Sequence, residues 1–411
     1  MIFFYKSTAH LIAKRYEDLI HDINISEKKG KYLQEIDTYV FFVEILKKII
    51  SNQDCCVLDY DFSDFEKNEL KIENDILETD VKASTTCRIE SFEDLLEKIK
   101  SSTSKISIFT SGTTGKPKKI THTISSLTRT VKENVTLKDS VWGLAYNPTH
   151  IAGLQVFFQA LYNKNTLVDF FKQPRDIVYN TIEMESVTHI SATPTFYRLL
   201  LPFDRKFDNV KRITFGGERS DFKLYTKLQL LFPNAKVTNI YASTELGTLL
   251  HSSGELFTIP DQFKNDIFIK DNELVVKAEF LGKSDELLIE KGMYRTGDIV
   301  ELINENPTMF KFKTRISDYV NVGGYKVNVV DVEDVLSSIE GVFMANVLVK
   351  SNSVLGNMLT ASVVLDGSAP ELSEKEIKSI LREKIQEFKI PRVIKIVKEL
   401  EFTRTGKISK K

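Results

Sequence analysis

The chain has 411 residues, 42% hydrophobic and 27% charged, and its 56 basic and 57 acidic side chains give a formal net charge of −1. That length exceeds one ordinary domain, and that balance excludes the broad basic footprint of a nucleic-acid or anionic-membrane binder. Cys55, Cys56 and Cys87 make neither a disulfide framework nor a metal-ligand spacing; the adjacent pair in CCVLDY reads as buried small hydrophobes. The opening segment MIFFYKSTAH meets a lysine too early for a signal peptide, and no window approaches the roughly 18 apolar residues of a membrane span. A soluble, cytoplasmic protein is expected, with no membrane insertion and no nucleic-acid partner.

In chain order, residues 32–50 carry apolar positions at helical spacing, and CCVLDYDF reads as a strand. SFEDLLEKIK predicts a helix with Ser91 as N-cap and acids in its first turn. KISIFT is a β-branched strand running into SGTTGKPKK, and ITHTISSLTRTVKENV is expected to be helical. Strands WGLAYN, NTLVDF, HISATP, RITFGG and KVTNIY then alternate with helices GLQVFFQALY, PTFYRLLL and FKLYTKLQLLF. Such alternation implies a mostly parallel α/β sheet. From about residue 255 the pattern becomes β-rich and hairpin-like, as in DIFIKDNELVVKA and MFKFKT. After Arg315, helices VEDVLSSI and EKEIKSILREKIQ and strands FMANVLVKSN, MLTASVVLD and RVIKIVKEL make a compact α+β unit, with a boundary near 314–318.

The loop Thr110-Ser111-Gly112-Thr113-Thr114-Gly115-Lys116-Pro117-Lys118 has the chemistry of a phosphate cradle. Glycines let backbone N–H groups turn toward an anion, hydroxyls donate hydrogen bonds and lysines supply charge. It is not the nucleoside-triphosphatase P-loop, because proline follows the lysine where that motif needs Ser or Thr. Alone, a solvated glycine-rich turn would read much the same.

The loop resembles the signature of the adenylate-forming superfamily: acyl- and aryl-CoA ligases, firefly luciferase and peptide-synthetase adenylation domains. Further motifs follow in that family's order. Tyr241-Ala242-Ser243-Thr244-Glu245 is similar to Y-G-x-T-E, with Ala242 in place of glycine. The resemblance implies that Tyr241 stacks on adenine, Thr244 bonds the α-phosphate and Glu245 holds Mg²⁺, an ion that prefers hard oxygen ligands. Gly216-Gly217-Glu218 resembles the turn lining the adenine and acyl pockets, and Tyr294-Arg295-Thr296-Gly297-Asp298 matches Y-x-T-G-D. Asp298 and Arg315 would hold the ribose. Arg315-Ile316-Ser317-Asp318 and the following Gly323-Gly324-Tyr325-Lys326 resemble the hinge motif, with Ser317 at the hinge as in succinylbenzoate–CoA ligase-like members. Thr403-Arg404-Thr405-Gly406-Lys407 resembles the tail motif whose lysine bridges carboxylate and α-phosphate, although Glu401 replaces the usual proline. These motifs cover about three-quarters of the chain, and the resemblance fades before residue 100.

His150 and Gly153 in Pro148-Thr149-His150-Ile151-Ala152-Gly153 match the H-x-x-G region that lines the acyl site in CoA ligases. The aspartate that amino-acid-activating relatives use against a substrate ammonium is missing from AYNPTHIAG, which favours a non-amino carboxylic acid. Only 109 residues precede Thr110, so the first subdomain, about 1–100, is expected to be reduced.

The resemblance therefore implies an α/β protein. A large N-terminal domain, 1–314, would hold mostly parallel sheets and a small β-rich subdomain; a small mobile α+β domain, 315–411, would carry the catalytic Lys407. The implied reaction takes ATP and Mg²⁺, forms acyl-AMP with release of pyrophosphate, then swings the small domain about Ser317. Gly323, Gly324 and Lys326 would line the thiol channel. CoA and a carrier-protein phosphopantetheine both fit as acceptors. The rival of another class is a non-catalytic nucleotide-binding protein, which retention of Glu245, Asp298, Arg315 and Lys407 together argues against.

Overall fold

The computed structural model describes residues 1–7, 11–28, 30–72, 80–82, 88–110, 118–202, 204–218, 222–322, 324–352, 356–366, 372–403 and 407–409. These gather into two compact units. The first holds Met1–Pro260 with Lys277–Tyr294, and the second holds Asp261–Val276, Arg295–Thr403 and Lys407–Lys411. The expected break near 314–318 lies inside the second unit, which also takes in most of the β-rich segment before it.

The first unit is built on an eight-stranded sheet in the order Gly247–Ser252, Lys236–Ser243, Arg212–Gly216, His189–Ala192, Val141–Leu144, Thr166–Asp169, Ile2–Lys6 and Ile12–Arg15. Neighbours run parallel except at the two edges, where hairpin partners are antiparallel. Inner strands such as His189–Ala192 are buried at every residue, as a sheet covered on both faces requires. After Val141–Leu144 the chain places its next strand on one side and the one after that on the other. The strand order thus reverses there, and ligands of open α/β sheets bind in the crevice beyond the carboxyl ends at such a point.

A second, four-stranded sheet runs Tyr32–Gln34, Cys55–Leu58, Lys105–Thr110 and Lys118–Thr123, parallel apart from its last pair. The helix expected over 32–50 occupies only Thr38–Ile50, started by Asp37, whose carboxylate accepts from the Val40 N–H at 2.9 Å. Twelve of its thirteen residues are buried, so its spacing is that of a core helix rather than an amphipathic one. Phe42 on this helix stacks on Phe157 at 4.1 Å and 5°, packing the N-terminal region against the large sheet's helix Ile151–Tyr162. Ser91 caps Phe92–Ser101 as predicted.

The helix expected over 120–135 is instead strand Lys118–Thr123 followed by a single turn, Ile124–Thr128, capped by Thr123. Ile120 and His122 are buried and alternate with less buried neighbours, a period-two pattern that β-branched residues favour.

In the second unit, Ile267–Lys270 and Glu273–Lys277 form a hairpin whose turn residues Asp271 and Asn272 both have positive φ, 53° and 59°. That is the type I′ geometry which Asp and Asn tolerate. Met293–Glu305 pairs with Thr308–Arg315, and Tyr319–Val322 with Tyr325–Asn328. A three-stranded sheet of Val342–Asn352, Gly356–Leu365 and Val393–Ile396 packs on helices Val329–Ser337 and Glu374–Lys384 through Val332, Leu336, Val347, Val363, Ile377 and Leu381. Among the described residues no helix is long and apolar enough to cross a membrane.

Candidate active site

Thr110 and Lys118 are register partners at the ends of two antiparallel strands, so the phosphate-loop sequence joins them across a hairpin. Ser111, Gly112, Thr113, Thr114, Gly115 and Lys116 lie outside the described residues, as does Gly323. Lys118 itself is half-buried.

Tyr241, Thr244 and Glu245 sit where strand Lys236–Ser243 turns back into Gly247–Ser252, and all three are half-buried. The turn is closed by one of its own side chains: the Ser243 hydroxyl accepts from Leu246 N–H at 3.2 Å. Three consecutive carbonyls are then taken up by three different segments. His122 Nε2 donates to Thr244 O at 2.7 Å, Gly282 N–H to Glu245 O at 2.7 Å, and Arg129 Nη2 to Leu246 O at 2.6 Å. A carbonyl can only accept, so the His122 tautomer carries its proton on Nε2, and Nδ1, 3.0 Å from the Ser126 hydroxyl, is the acceptor when the ring is neutral. Burial holds the His122 pKa below its ordinary value.

Gly216 ends strand Arg212–Gly216, and a Cβ there would lie 2.8 Å from the Tyr146 hydroxyl. Gly217 follows with φ of 80°. The Glu218 carboxylate accepts from the Thr195 hydroxyl at 2.7 Å and the Thr195 N–H at 3.1 Å, which ties it to the turn after His189–Ala192.

Tyr146 lies on the 145–150 loop that leads from Val141–Leu144 to helix Ile151–Tyr162, at the point where strand order reverses. Its other residues turn to Asp59, the acid that follows strand Cys55–Leu58. Asn147 Nδ2 donates to Asp59 Oδ1 at 2.9 Å, Thr149 donates to the same oxygen through its hydroxyl, and His150 Nε2 lies 3.1 Å from Oδ1 and 3.2 Å from Oδ2. Burial alone would raise the Asp59 pKa, but the hydrogen bond and charge of His150, then the bonds from Thr149 and Asn147, prevail and hold it at about 2. Gly153 packs on this loop so closely that a Cβ would meet the Asn147 carbonyl oxygen at 2.2 Å.

In the second unit, Asp298 and Arg315 are cross-strand partners, with Arg315 Nε 3.0 Å from Asp298 Oδ1. Glu273, buried on the neighbouring strand, accepts from Gly297 N–H at 2.8 Å and pairs with Arg295 at 2.6 Å. Thr296 Oγ1 accepts from Asp298 N–H at 3.1 Å while donating to Leu274 O at 2.8 Å. Ser317 is exposed on the turn Ile316–Asp318. Gly324 closes the two-residue connection between Val322 and Tyr325, with φ of 88° and no atom within 4 Å of an added Cβ. Exposed Lys326 places its ammonium 4.7 Å from the Tyr319 ring centroid. Lys407 is half-buried, its N–H donating to the Thr403 hydroxyl at 3.2 Å and its carbonyl accepting from Thr403 N–H at 2.7 Å.

The structure therefore brings Tyr241, Thr244, Glu245, Gly216, Gly217, Glu218, His150 and Gly153 into one unit, and Asp298, Arg315, Ser317, Gly324, Lys326 and Lys407 into the other. Sequence reasoning passed over His122, Arg129, Asp59 and Glu273. The inward period-two position of His122 was a legible signal; the other three carry no motif, because their partners are distant in sequence.

Two family models match the chain: AMP-binding enzyme over residues 35–266, and AMP-binding enzyme C-terminal domain over 331–407. The first reaches well before residue 100, so the likeness extends further toward the N-terminus than the motifs indicated. A putative long chain fatty acid–CoA ligase, VraA, of Staphylococcus epidermidis is 23% identical over 325 residues, spanning 74% of this chain and 69% of that protein. A 2-succinylbenzoate–CoA ligase of Listeria monocytogenes is 25% identical, spanning 74% and 68%. The structure of o-succinylbenzoate coenzyme A synthetase from Bacillus subtilis, in complex with ATP and magnesium ion, superposes with a TM-score of 0.70 at 19% identity, covering all of this chain and 95% of that one, which establishes the shared fold. With both family models matched in order and that fold in common, this chain belongs to the AMP-binding enzyme family.

Proposed function

We propose that the chain is an AMP-forming acid–thiol ligase, which condenses a carboxylic acid with ATP to acyl-AMP, releases pyrophosphate and passes the acyl group to CoA. The observation that carries this reading is the link between the two segments assigned to phosphate. The strand leaving the phosphate loop supplies His122, and His122 fixes the backbone of Thr244 in the motif turn.

Lys118 and the loop before it bind the triphosphate, with Thr244 on the α-phosphate and Tyr241 against adenine. The Gly217–Glu218 turn borders the base. Asp298 accepts from the ribose hydroxyls, and Arg315 holds that carboxylate in place. Lys407 stabilises negative charge developing on the α-phosphate as the carboxylate attacks. No group of three or more His, Cys, Asp or Glu side chains among the described residues could hold a metal alone. A single carboxylate, Glu245, suits Mg²⁺, which takes most of its ligands from phosphates and water. The ion's contribution is to neutralise phosphate charge. A lid function for residues 315–411, moving about Ser317 and exposing a thiol path along Gly323, Gly324 and Lys326, belongs to the same proposal.

His150 and Gly153 border the acyl group. Asp59, an acid held by that loop, is already occupied by three donors and is not free to take a substrate ammonium, which supports a non-amino acid. The test is exchange of labelled pyrophosphate into ATP across classes of acid, without acceptor. Release of ADP and phosphate would refute the reading. Saturable thioester formation with a phosphopantetheinylated carrier protein, and none with CoA, would replace the acceptor and leave adenylation standing.

A further inference from the structure

We infer that His150 and Asp59 form a base for the acceptor thiol, with His150 taking the thiol proton and Asp59 positioning it. This rests on the acyl-transfer reading above. His150 is the N-cap residue of Ile151–Tyr162, yet its side chain makes no capping bond. At Asp37, Ser91, Thr193, Asn328 and Ser373 the N-cap side chain does accept from its own helix. The imidazole turns to Asp59 instead. That carboxylate only accepts, so Nε2 carries a hydrogen, and in the neutral ring the lone pair is left on Nδ1. Among the described residues Nδ1 has no hydrogen-bond partner, while the side chain keeps 15% of its surface open.

A buried carboxylate on one nitrogen and an open second nitrogen is the arrangement that orients a histidine base and stabilises its imidazolium. Its place is apt for the reaction. The 145–150 loop leaves the large sheet where strand order reverses, with Tyr146 against Gly216 and the rest of the loop against the end of Cys55–Leu58. The second sheet's adjacent parallel strand, Lys105–Thr110, ends at the phosphate loop.

The chemistry needs such a base, because an unperturbed alkyl thiol is largely protonated at neutral pH and the thiolate is the nucleophile. Nδ1 takes the S–H proton while the sulfur lone pair forms the C–S bond to the acyl carbonyl carbon. The bond from that carbon to the phosphate oxygen breaks, AMP leaves with the electron pair, and the imidazolium then returns its proton to solvent. Atoms and charge balance without a further reactant.

The test uses the whole protein loaded with acyl-AMP in single turnovers, with pantetheine and the more acidic 2,2,2-trifluoroethanethiol as acceptors. Asp59→Asn and His150→Gln should each slow transfer to pantetheine by roughly 100-fold, and to the acidic thiol by less than tenfold, since an already ionised thiol needs no base. Equal slowing with both thiols would overturn the inference, because a purely structural loss is blind to thiol acidity. If Asp59→Asn fails to fold, His150→Gln decides alone, as its amide can still donate to Asp59. Absence of pyrophosphate exchange in the unmutated protein would instead strike the parent reading.

Discussion

His122 Nε2 lies 2.7 Å from the Thr244 carbonyl oxygen, so a histidine just beyond the phosphate loop holds the backbone of the motif turn 122 residues away. His122→Leu removes the donor and leaves a carbonyl unpaired at a cost of roughly 1–3 kcal/mol. Pyrophosphate exchange is expected to fall at least tenfold, chiefly through kcat, in variant protein that is still folded by circular dichroism. His122→Gln, whose amide can donate, should recover part of it. Full exchange activity in the leucine variant would show that the tie does not position the turn.

Lys407→Ala should reduce adenylation by roughly 100- to 1000-fold, the scale on which one transition-state donor acts. Chemically supplied acyl-AMP should still be converted to thioester. Normal pyrophosphate exchange by the variant would make Lys407 an ordinary surface charge.

Gly324→Leu separates the half-reactions from the other side. The space around an added Cβ is open, so the folded unit accommodates the side chain, and the positive φ adds a strain of about 1–2 kcal/mol. Thioester formation should fall sharply in a stopped-flow assay started from acyl-AMP. An unchanged rate would place the thiol path elsewhere.

Acid should destabilise the fold before its carboxylates titrate. Burial first, then the charges of Arg212 and Lys211, lowers the His189 pKa to about 4, and burial lowers that of His122 as well. The unfolded chain protonates near the ordinary histidine value of about 6.5 while the folded chain resists, so stability is complete above that pH and declines as pH falls from there toward 4. His189 alone accounts for roughly 3 kcal/mol over that window. Asp59, held at about 2 in the fold, adds a later loss below the ordinary carboxylate range. Urea midpoints at pH 7, 6, 5 and 4 check this; a flat profile between 7 and 5 would contradict it, and His189→Phe should flatten the slope.

Cys55 and Cys56 should be inert to thiol reagents in the native protein, because burial pushes their pKa values up to about 12 and about 11. Peptide mapping after brief alkylation should find both unmodified, and both labelled once guanidinium is added. Native labelling of either would mean that the central strand Cys55–Leu58 opens readily.

The sequence by itself determined the α/β class, the order of most strands and helices, and the motif segments that point to adenylate chemistry. These are local properties: alternation of periods, capping residues such as Ser91, and short runs whose chemistry is contained in adjacent side chains. It was misleading where local pattern and context disagree. ITHT has the local look of a helix start, but it forms a strand because Lys105–Thr110 offers it a ladder; the apolar run from 32 divides because Asp37 starts the helix there. Only the tertiary structure decided the rest. Asp59 meets His150, Glu273 meets Gly297, and His122 meets Thr244 across separations of 91, 24 and 122 residues. Long-range hydrogen bonds carry no signal in spacing or composition, since they depend on which strand ends the sheet order brings together.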